Sequence, residues 1–347
     1  MIRSSMLLAV AATLASCTTL ETEASVSVNG GQRVYVSNEV SGDLTVIDAE
    51  RWTVLTTVPV GRRPRGMAVS PDGRLLYIAL SGSPIGGPDV DGSQLPRADK
   101  SKDGIAVFDL RAARVARVIR GVSDPETVAV SPDGRRLYVA SEDTGRLVVL
   151  DARSGRPLGG AEVGGEAEGV GVTPDGSLVY VTSEEDHTVA VVESGRFKVR
   201  TRVPVGKRPR NVIFTPDGQR AFVGGENDAS VTAIDVETDR VVARVQVPGD
   251  LVRPMGLVLS PDGRHLYVTT GRGGEVVRLD PANLSITGRV KAGARPWGIA
   301  ATKDGRWLFT ANGPSNDVTV IDAGSLKVVG RVAAGHRPWG AVVAAAR

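Results

Sequence analysis

An aromatic residue opening a β-prone tetrapeptide recurs seven times in this chain: Tyr35 (YVSN), Tyr77 (YIAL), Tyr138 (YVAS), Tyr180 (YVTS), Phe222 (FVGG), Tyr267 (YVTT) and Phe309 (FTAN). The intervals are 42, 61, 42, 42, 45 and 42 residues. A second anchor closes a V-x-V-I-D-like segment at Asp48, Asp109, Asp151, Glu193, Asp235, Asp280 and Asp322, with intervals of 61, 42, 42, 42, 45 and 42. A unit of this length holds room for four short strands, whose apolar faces are buried only against neighbouring units. Seven such units in a ring satisfy that need. The expected fold is therefore all-β: a seven-bladed β-propeller of four-stranded antiparallel blades.

A third anchor fixes how the ring closes. P-D-G turns occur at Asp72, Asp133, Asp175, Asp217 and Asp262, with K-D-G at Asp304, making six turns for seven aromatics. The turn that should precede Tyr35 is missing. An unmatched segment near the C-terminus, Gly340-Ala341-Val342-Val343-Ala344, looks like the strand that precedes each P-D-G elsewhere. The C-terminal strand is thus expected to complete the first blade and leave no free sheet edge around the ring. Asp-Gly supplies the left-handed geometry that a short hairpin loop requires. The strand-end acids suit acceptance of backbone N–H groups in the turn that follows.

The first residues read differently. Arg3 precedes an apolar run from Met6 to Leu14, too short to span a bilayer and suited to a signal peptide. It ends in Leu14-Ala15-Ser16-Cys17, which resembles a bacterial lipobox, and Cys17 is the only cysteine, so it has no disulfide partner within the chain. The expected organisation is a lipoprotein-type signal over residues 1–16, a lipidated tether over 17–31 and the propeller over 32–347. The protein is then exported and held at the periplasmic face of the cell envelope by a lipid on Cys17. A plain cleavable signal with an incidental cysteine is the alternative. Lys+Arg 42 against Asp+Glu 39 leaves a net charge of +3 with the signs interspersed, which gives no basic stripe for nucleic acid.

Counting strands a to d outward from the channel, the P-D-G turns and the turns after the strand-end acids share one face. The b–c loops and the d-to-a crossings share the other, and there the sequence varies, as binding loops on a fixed scaffold do. Each crossing carries an x-P-x-G-like motif whose third residue should sit at the channel rim. In ring order these are Arg65, Glu126, Glu168, Arg210, Met255, Trp297 and Trp339. The residues before the proline position are Arg63, Asp124, Glu166, Arg208, Arg253, Arg295 and Arg337. The rim is asymmetric: one arc bears acids flanked by arginines, the other a methionine and two tryptophans backed by arginines. The b–c loops add polar groups to this face: Asn38-Glu39, Glu142-Asp143, Glu184-Glu185-Asp186-His187, Glu226-Asn227-Asp228 and Asn312. An insertion over about residues 82–103, rich in Gly, Pro and Asp, lies in a b–c loop of the second blade and should overlie the same face. It suits a lid or docking loop, or equally an unstructured decoration. Paired Arg and Glu beside two indoles can hold a polar aromatic ligand or a protein partner. The plainer alternative is that these side chains plug the channel mouth and form ion pairs.

Several chemistries lack their residues. The three histidines, His187, His265 and His336, have no metal-ligand spacing. There is no C-x-x-C-H haem motif, no G-x-S-x-G elbow and no phosphate-cradling loop. Asp89-Val90-Asp91-Gly92 resembles half of a calcium loop without the remaining ligands. Glu126 and Glu168 could form an acid/base pair, but no nucleophile stands beside them in the sequence. No cofactor, metal or catalytic residue is expected.

Repeats such as Arg63-Pro64-Arg65-Gly66-Met67-Ala68-Val69-Ser70-Pro71-Asp72-Gly73, followed by Leu76-Tyr77-Ile78-Ala79, resemble the YVTN/YncE-like propeller family. The order of rim motifs, ending in Thr310 to Asp322 and Arg337 to Gly340, is similar to that of propeller proteins associated with PQQ-dependent alcohol catabolism. Two departures are Ala167 in place of proline in the fourth blade and the second-blade insertion. The resemblance implies an exported protein encoded near quinoprotein dehydrogenases and transporters. The rim then suggests a monomeric, non-enzymatic envelope protein that binds a small polar ligand or a partner, such as a quinoprotein dehydrogenase system. Two other functions remain open: a lactonase-like hydrolase of a sugar lactone, and an architectural surface protein.

Overall fold

The computed structural model describes residues 31–86 and 95–346. The signal, Cys17, nearly all of the tether and the Asp89–Gly92 segment lie outside the described residues. Within them, twenty-eight strands form seven four-stranded antiparallel sheets. Blade one joins the two ends of the chain, with Pro338–Ala345 innermost, then Gln32–Asn38, Asp43–Asp48 and Val54–Pro59. The closing pair is antiparallel and sets Tyr35 opposite Val342 and Val36 opposite Ala341. The turn missing from the sequence is therefore missing because two separate chain segments make that pair. Blade two runs Pro64–Val69, Leu75–Leu80, Gly104–Asp109 and Arg114–Ile119, and the other five follow the same order.

The seven anchor aromatics sit on second strands and are buried, and they bind each blade to the next. Tyr35 packs with Leu76, Ile78 and Phe108 of blade two, its ring edge-on to Phe108 at 6.3 Å. Tyr180 lies edge-on to Phe214 of blade five at 5.0 Å, and its hydroxyl donates to Asp239 at 3.1 Å. Each such side chain stabilises a blade–blade contact by about 2–3 kcal/mol.

The turns at the opposite face are built as the acids imply, with one addition. Asp48 Oδ1 accepts the N–H groups of Glu50 and Arg51 at 2.9 and 2.8 Å. Glu193, the one non-Asp anchor, pairs instead with Arg196 at 3.8 Å. In each D-G turn the glycine has positive φ, as at Gly73 (66°) and Gly134 (71°). The Asp also accepts a hydroxyl from the residue two positions earlier, as Ser70 donates to Asp72 at 2.6 Å and Thr173 to Asp175 at 2.5 Å. The extra three residues of the 45-residue interval sit in the crossing from blade five to blade six. The inner strand of blade six is short, Leu257–Leu259, and the crossing before it bends through Gly249 and Leu251 at positive φ.

Candidate functional site

The b–c loops and the crossings meet at one end of the channel, and the crossings share a tight geometry. Arg63, Asp124, Glu166, Arg208, Arg295 and Arg337 all have φ between 39° and 55°. A non-glycine residue there costs about 1 kcal/mol. Ala113 and Leu284, at the opposite face, adopt the same conformation, so it belongs to the scaffold. Beyond the crossing, the inner strands approach too closely for side chains. A Cβ on Gly169 would lie 2.1 Å from the Arg210 carbonyl oxygen, and one on Gly256 would lie 2.4 Å from that of Trp297. Thr127 occupies the equivalent position in blade three, where its hydroxyl donates to the Glu168 carbonyl at 2.5 Å. The tetrapeptides hold the rim in the same way. Ser37 donates to the carbonyl of Arg65 at 2.8 Å, Thr182 to that of Arg210 at 2.7 Å and Thr269 to that of Trp297 at 2.7 Å. The third residue of each of these tetrapeptides thereby fixes the rim residue of the following blade.

Together the rim encloses a cavity of about 580 Å³ to which all seven blades contribute. Twelve of the fourteen crossing residues named from the sequence line it: Arg63, Arg65, Asp124, Glu126, Glu168, Arg208, Arg210, Arg253, Arg295, Trp297, Arg337 and Trp339. Glu166 does not. Nor does Met255; it is buried and lines a smaller space, about 30 Å³, deeper in the channel. Both ends of the blade-two insertion reach the mouth, where Pro84, Ile85, Gly86 and Leu95 line the cavity. Asp103 holds the base of this insertion, accepting the N–H groups of Gly82 at 2.6 Å and Asp124 at 2.9 Å.

The acids of the rim are not free. The buried Arg65 guanidinium contacts Glu126 and lies 3.4 Å from Glu142 and 3.7 Å from Glu39. Arg63 donates to Glu39 at 2.9 Å. Asp124 accepts the hydroxyls of Ser81 and Ser83, with Lys100 at 3.9 Å. Burial opposes its ionisation, but Arg65 and the two hydroxyls outweigh that and hold its carboxyl below the ordinary range.

A second cluster gathers three carboxylates around two guanidiniums. Arg210 reaches Glu168 at 2.8 Å, Glu184 at 2.5 Å and Glu226 at 2.7 Å. Arg208 reaches Glu184 at 2.7 Å and Glu226 at 3.3 Å. Glu226 is kept below its usual range, since Arg210 and Arg208 outweigh its burial. Glu168 is pushed up by burial and by the charge of Glu142. Glu184 is pushed up to about 9, first by burial and then by Glu168. Three negative charges against two positive ones, out of water, leave one carboxyl protonated at neutral pH, and the Glu168–Glu184 pair holds that proton.

The arc formed by blades six and seven and the inner strand of blade one is different. Trp297 and Trp339 lie 5.7 Å apart with their planes inclined by 39°. The Arg295 guanidinium sits over the Trp297 ring at 4.9 Å, and that of Arg210 at 5.4 Å. Arg253 donates to Asn227 at 2.5 Å and is 3.9 Å from Glu226. No acid from this arc lines the cavity among the described residues.

Asp124, Glu126 and Glu142 offer oxygens within 4.8 Å of one another, a spacing that suits a metal ion. The chain's own cations already stand on this group, Arg65 on Glu126 and Glu142 and Lys100 beside Asp124. An ion there would have to displace them.

The acids that pair with the rim came from a position that sequence reading noted only as loop polarity. Four residues after each aromatic anchor stand Glu39, Ser81, Glu142, Glu184, Glu226, Gly271 and Gly313 in blades one to seven. Every glutamate in this series contacts a rim arginine. The periodic spacing was the available signal. Ser83, Lys100 and Asp103 have no repeat position to mark them as partners of Asp124, whereas Ser81 is the blade-two member of this series.

Comparison with known proteins places this geometry in context. The family model described as the SMP-30/gluconolactonase/LRE-like region matches residues 12–224, and the cytochrome D1 heme domain model matches residues 226–342. A curated relative, antigen Lp49 of Leptospira interrogans serogroup Icterohaemorrhagiae serovar copenhageni, is 31% identical over a stretch covering 30% of this chain and 30% of that protein. The chain thus spans less than a third of that relative. Among solved structures, a candidate 6-phosphogluconolactonase of Bacteroides fragilis has a TM-score of 0.75 at 18% identity, covering 91% of this chain and 99% of that one. Hydrazine synthase of Kuenenia stuttgartiensis has a TM-score of 0.68 at 21% identity, covering 80% and 88%. At these identities the structural likeness concerns the fold alone.

Proposed function

The chain belongs to the SMP-30/gluconolactonase/LRE-like family, and within that family we propose that this protein binds a small polar ligand at the mouth of its channel. The observation that carries this reading is the cavity of about 580 Å³ lined from all seven blades. Its size falls in the range of small-molecule sites, and polar groups converge on it beside two indoles. A plug would leave no such space. The lipobox-like residues ending at Cys17 support export and a lipid anchor in the envelope. The order of rim motifs supports a place beside quinoprotein-linked alcohol oxidation, for which an adjacent quinoprotein dehydrogenase gene is the expected finding.

A thermal-shift screen with sugar lactones, alcohols and quinone cofactors tests the binding reading. A ligand should raise Tm in the native protein and leave it unchanged in the Trp297→Ala/Trp339→Ala double variant. An equal shift in both proteins would remove the site from the channel mouth.

Lactone hydrolysis is a second reading, favoured by the family and by one observation. Glu168 lines the cavity and burial raises its carboxyl, so its carboxylate form could take a proton from the water that attacks a lactone carbonyl. Turnover of D-glucono-δ-lactone that disappears in Glu168→Gln would establish it. Binding without turnover in the native protein would exclude it for that substrate.

A further inference from the structure

Charge is distributed unequally around the cavity. Its lining holds eight arginines and six carboxylates, whereas the whole chain has an excess of only +3. The proton retained by the Glu168–Glu184 pair widens the imbalance. The excess lies in one place. Four residues after the aromatic anchor, blades one, three, four and five present a glutamate that reaches a rim arginine, whereas blades six and seven present Gly271 and Gly313. The crossing arginines flanking those glycines have lost the acid that the repeat supplies elsewhere. Among the described residues neither Arg295 nor Arg337 has a carboxylate within ion-pair distance, and both line the cavity.

Arg295 shows the effect of this arrangement. Burial depresses its guanidinium below the ordinary value; Glu226 opposes this, and repulsion from Arg272, Arg337 and Arg210 adds to it. Its stacking over Trp297 holds it in place without cancelling its charge. An anion entering here replaces repulsion with charge-assisted hydrogen bonds in a partly dry site. A guanidinium fork matches the two oxygens of a carboxylate, and the tilted pair of indoles offers apolar area to a flat ring.

We propose that Arg295 and Arg337, with Trp297 and Trp339, form a subsite for a planar aromatic ligand bearing carboxylates. This inference deepens the binding reading given above and rests on it.

Isothermal titration calorimetry on the full chain tests it with three 1,3-disubstituted six-membered rings: benzene-1,3-dicarboxylate, cyclohexane-1,3-dicarboxylate and resorcinol. The first carries both ring and charge, the second charge alone and the third ring alone. Benzene-1,3-dicarboxylate should bind most tightly and weaken as NaCl is raised. Arg295→Gln and Arg337→Gln should each weaken it roughly 10- to 100-fold, while Arg264→Gln, on the opposite face, should not. Circular dichroism and Tm of each variant check that the fold is retained. The inference is overturned if the dicarboxylate fails to bind, or binds with unchanged affinity in both Gln variants. It is also overturned if resorcinol binds as tightly as the diacid. Should a neutral lactone bind and be lost in the Trp297→Ala/Trp339→Ala variant, the ligand class falls while the channel-mouth reading stands.

Discussion

Replacing Glu184 by Gln should make the protein more stable at alkaline pH, although the residue sits between two arginines. The structure sets the sign. A carboxyl with an ordinary value of 4.5 is raised to about 9 in the fold, so between these values the folded protein keeps a proton that the unfolded chain has released. Stability then falls as pH rises through that window, by at most about 1.4 kcal/mol per pH unit for one proton. Gln supplies a neutral side chain of nearly the same shape and leaves two carboxylates, Glu168 and Glu226, against Arg208 and Arg210. The cluster is then balanced without a proton. Urea unfolding at a series of pH values measures the difference between the two proteins. Near pH 5.5 they should agree within about 1 kcal/mol, and near pH 8.5 the variant should be ahead by roughly 2–4 kcal/mol. A gap that stays constant with pH would refute the shared proton. A variant weaker by about 3 kcal/mol throughout would show instead that Glu184 is ionised and paired, since breaking a buried ion pair costs that much.

Two further perturbations test the closure and the anchor. Ending the chain after Gly335 removes the inner strand of blade one and its seven paired positions against Gln32–Asn38. The loss of roughly 5 kcal/mol or more in ladder hydrogen bonds is comparable to the whole stability of a domain, and it bares an edge strand. Aggregation or loss of the cooperative transition is expected, and a soluble monomer with native Tm would contradict the closure. Cys17→Ser should move the exported protein from the membrane fraction to the soluble fraction and abolish labelling by a fatty-acid analogue. Unchanged labelling would rule out a lipid on Cys17.

The ring was legible because its parts repeat. Seven aromatics, seven strand-end acids and six turns left one arrangement of strands, and the closing pair of Tyr35 with Val342 followed from the missing turn. The rim was legible for the same reason, since it occupies one position in every crossing. The pairing state of that rim was not. Arg65 and Glu126 are expected at the rim with ion pairing open, but the sequence does not set which arginine meets which acid; the two side chains touch and are buried. Contacts across the mouth join residues far apart in the chain, such as Arg65 and Glu142, and no local pattern encodes them. Asp124 shows the limit most clearly. Its partners Ser83 and Lys100 come from an insertion that has no counterpart in the other blades, so no repeat could reveal them, and Ser81 stands where four other blades carry glutamate.

The repeat also explains how a nearly symmetric scaffold carries an asymmetric site. Main-chain carbonyls at the rim are held by Ser37, Thr182 and Thr269, whatever side chain the rim residue bears. Arg65, Arg210 and Trp297 can therefore stand at equivalent positions without disturbing the inner strands. Two positions per blade are left to set the chemistry: the rim residue, and the residue four places after the aromatic anchor. Where the second is glutamate, as at Glu39 and Glu226, it neutralises a rim arginine and the pair serves the scaffold. Where it is Gly271 or Gly313, the neighbouring arginine keeps its charge for something outside the chain. Substituting Gly313 by glutamate, where a Cβ would meet nothing closer than 3.6 Å, should set an acid in the cationic arc, whereas a Cβ on Gly271, at a φ of 50°, would lie 2.8 Å from the Arg253 carbonyl oxygen and bars the same change there.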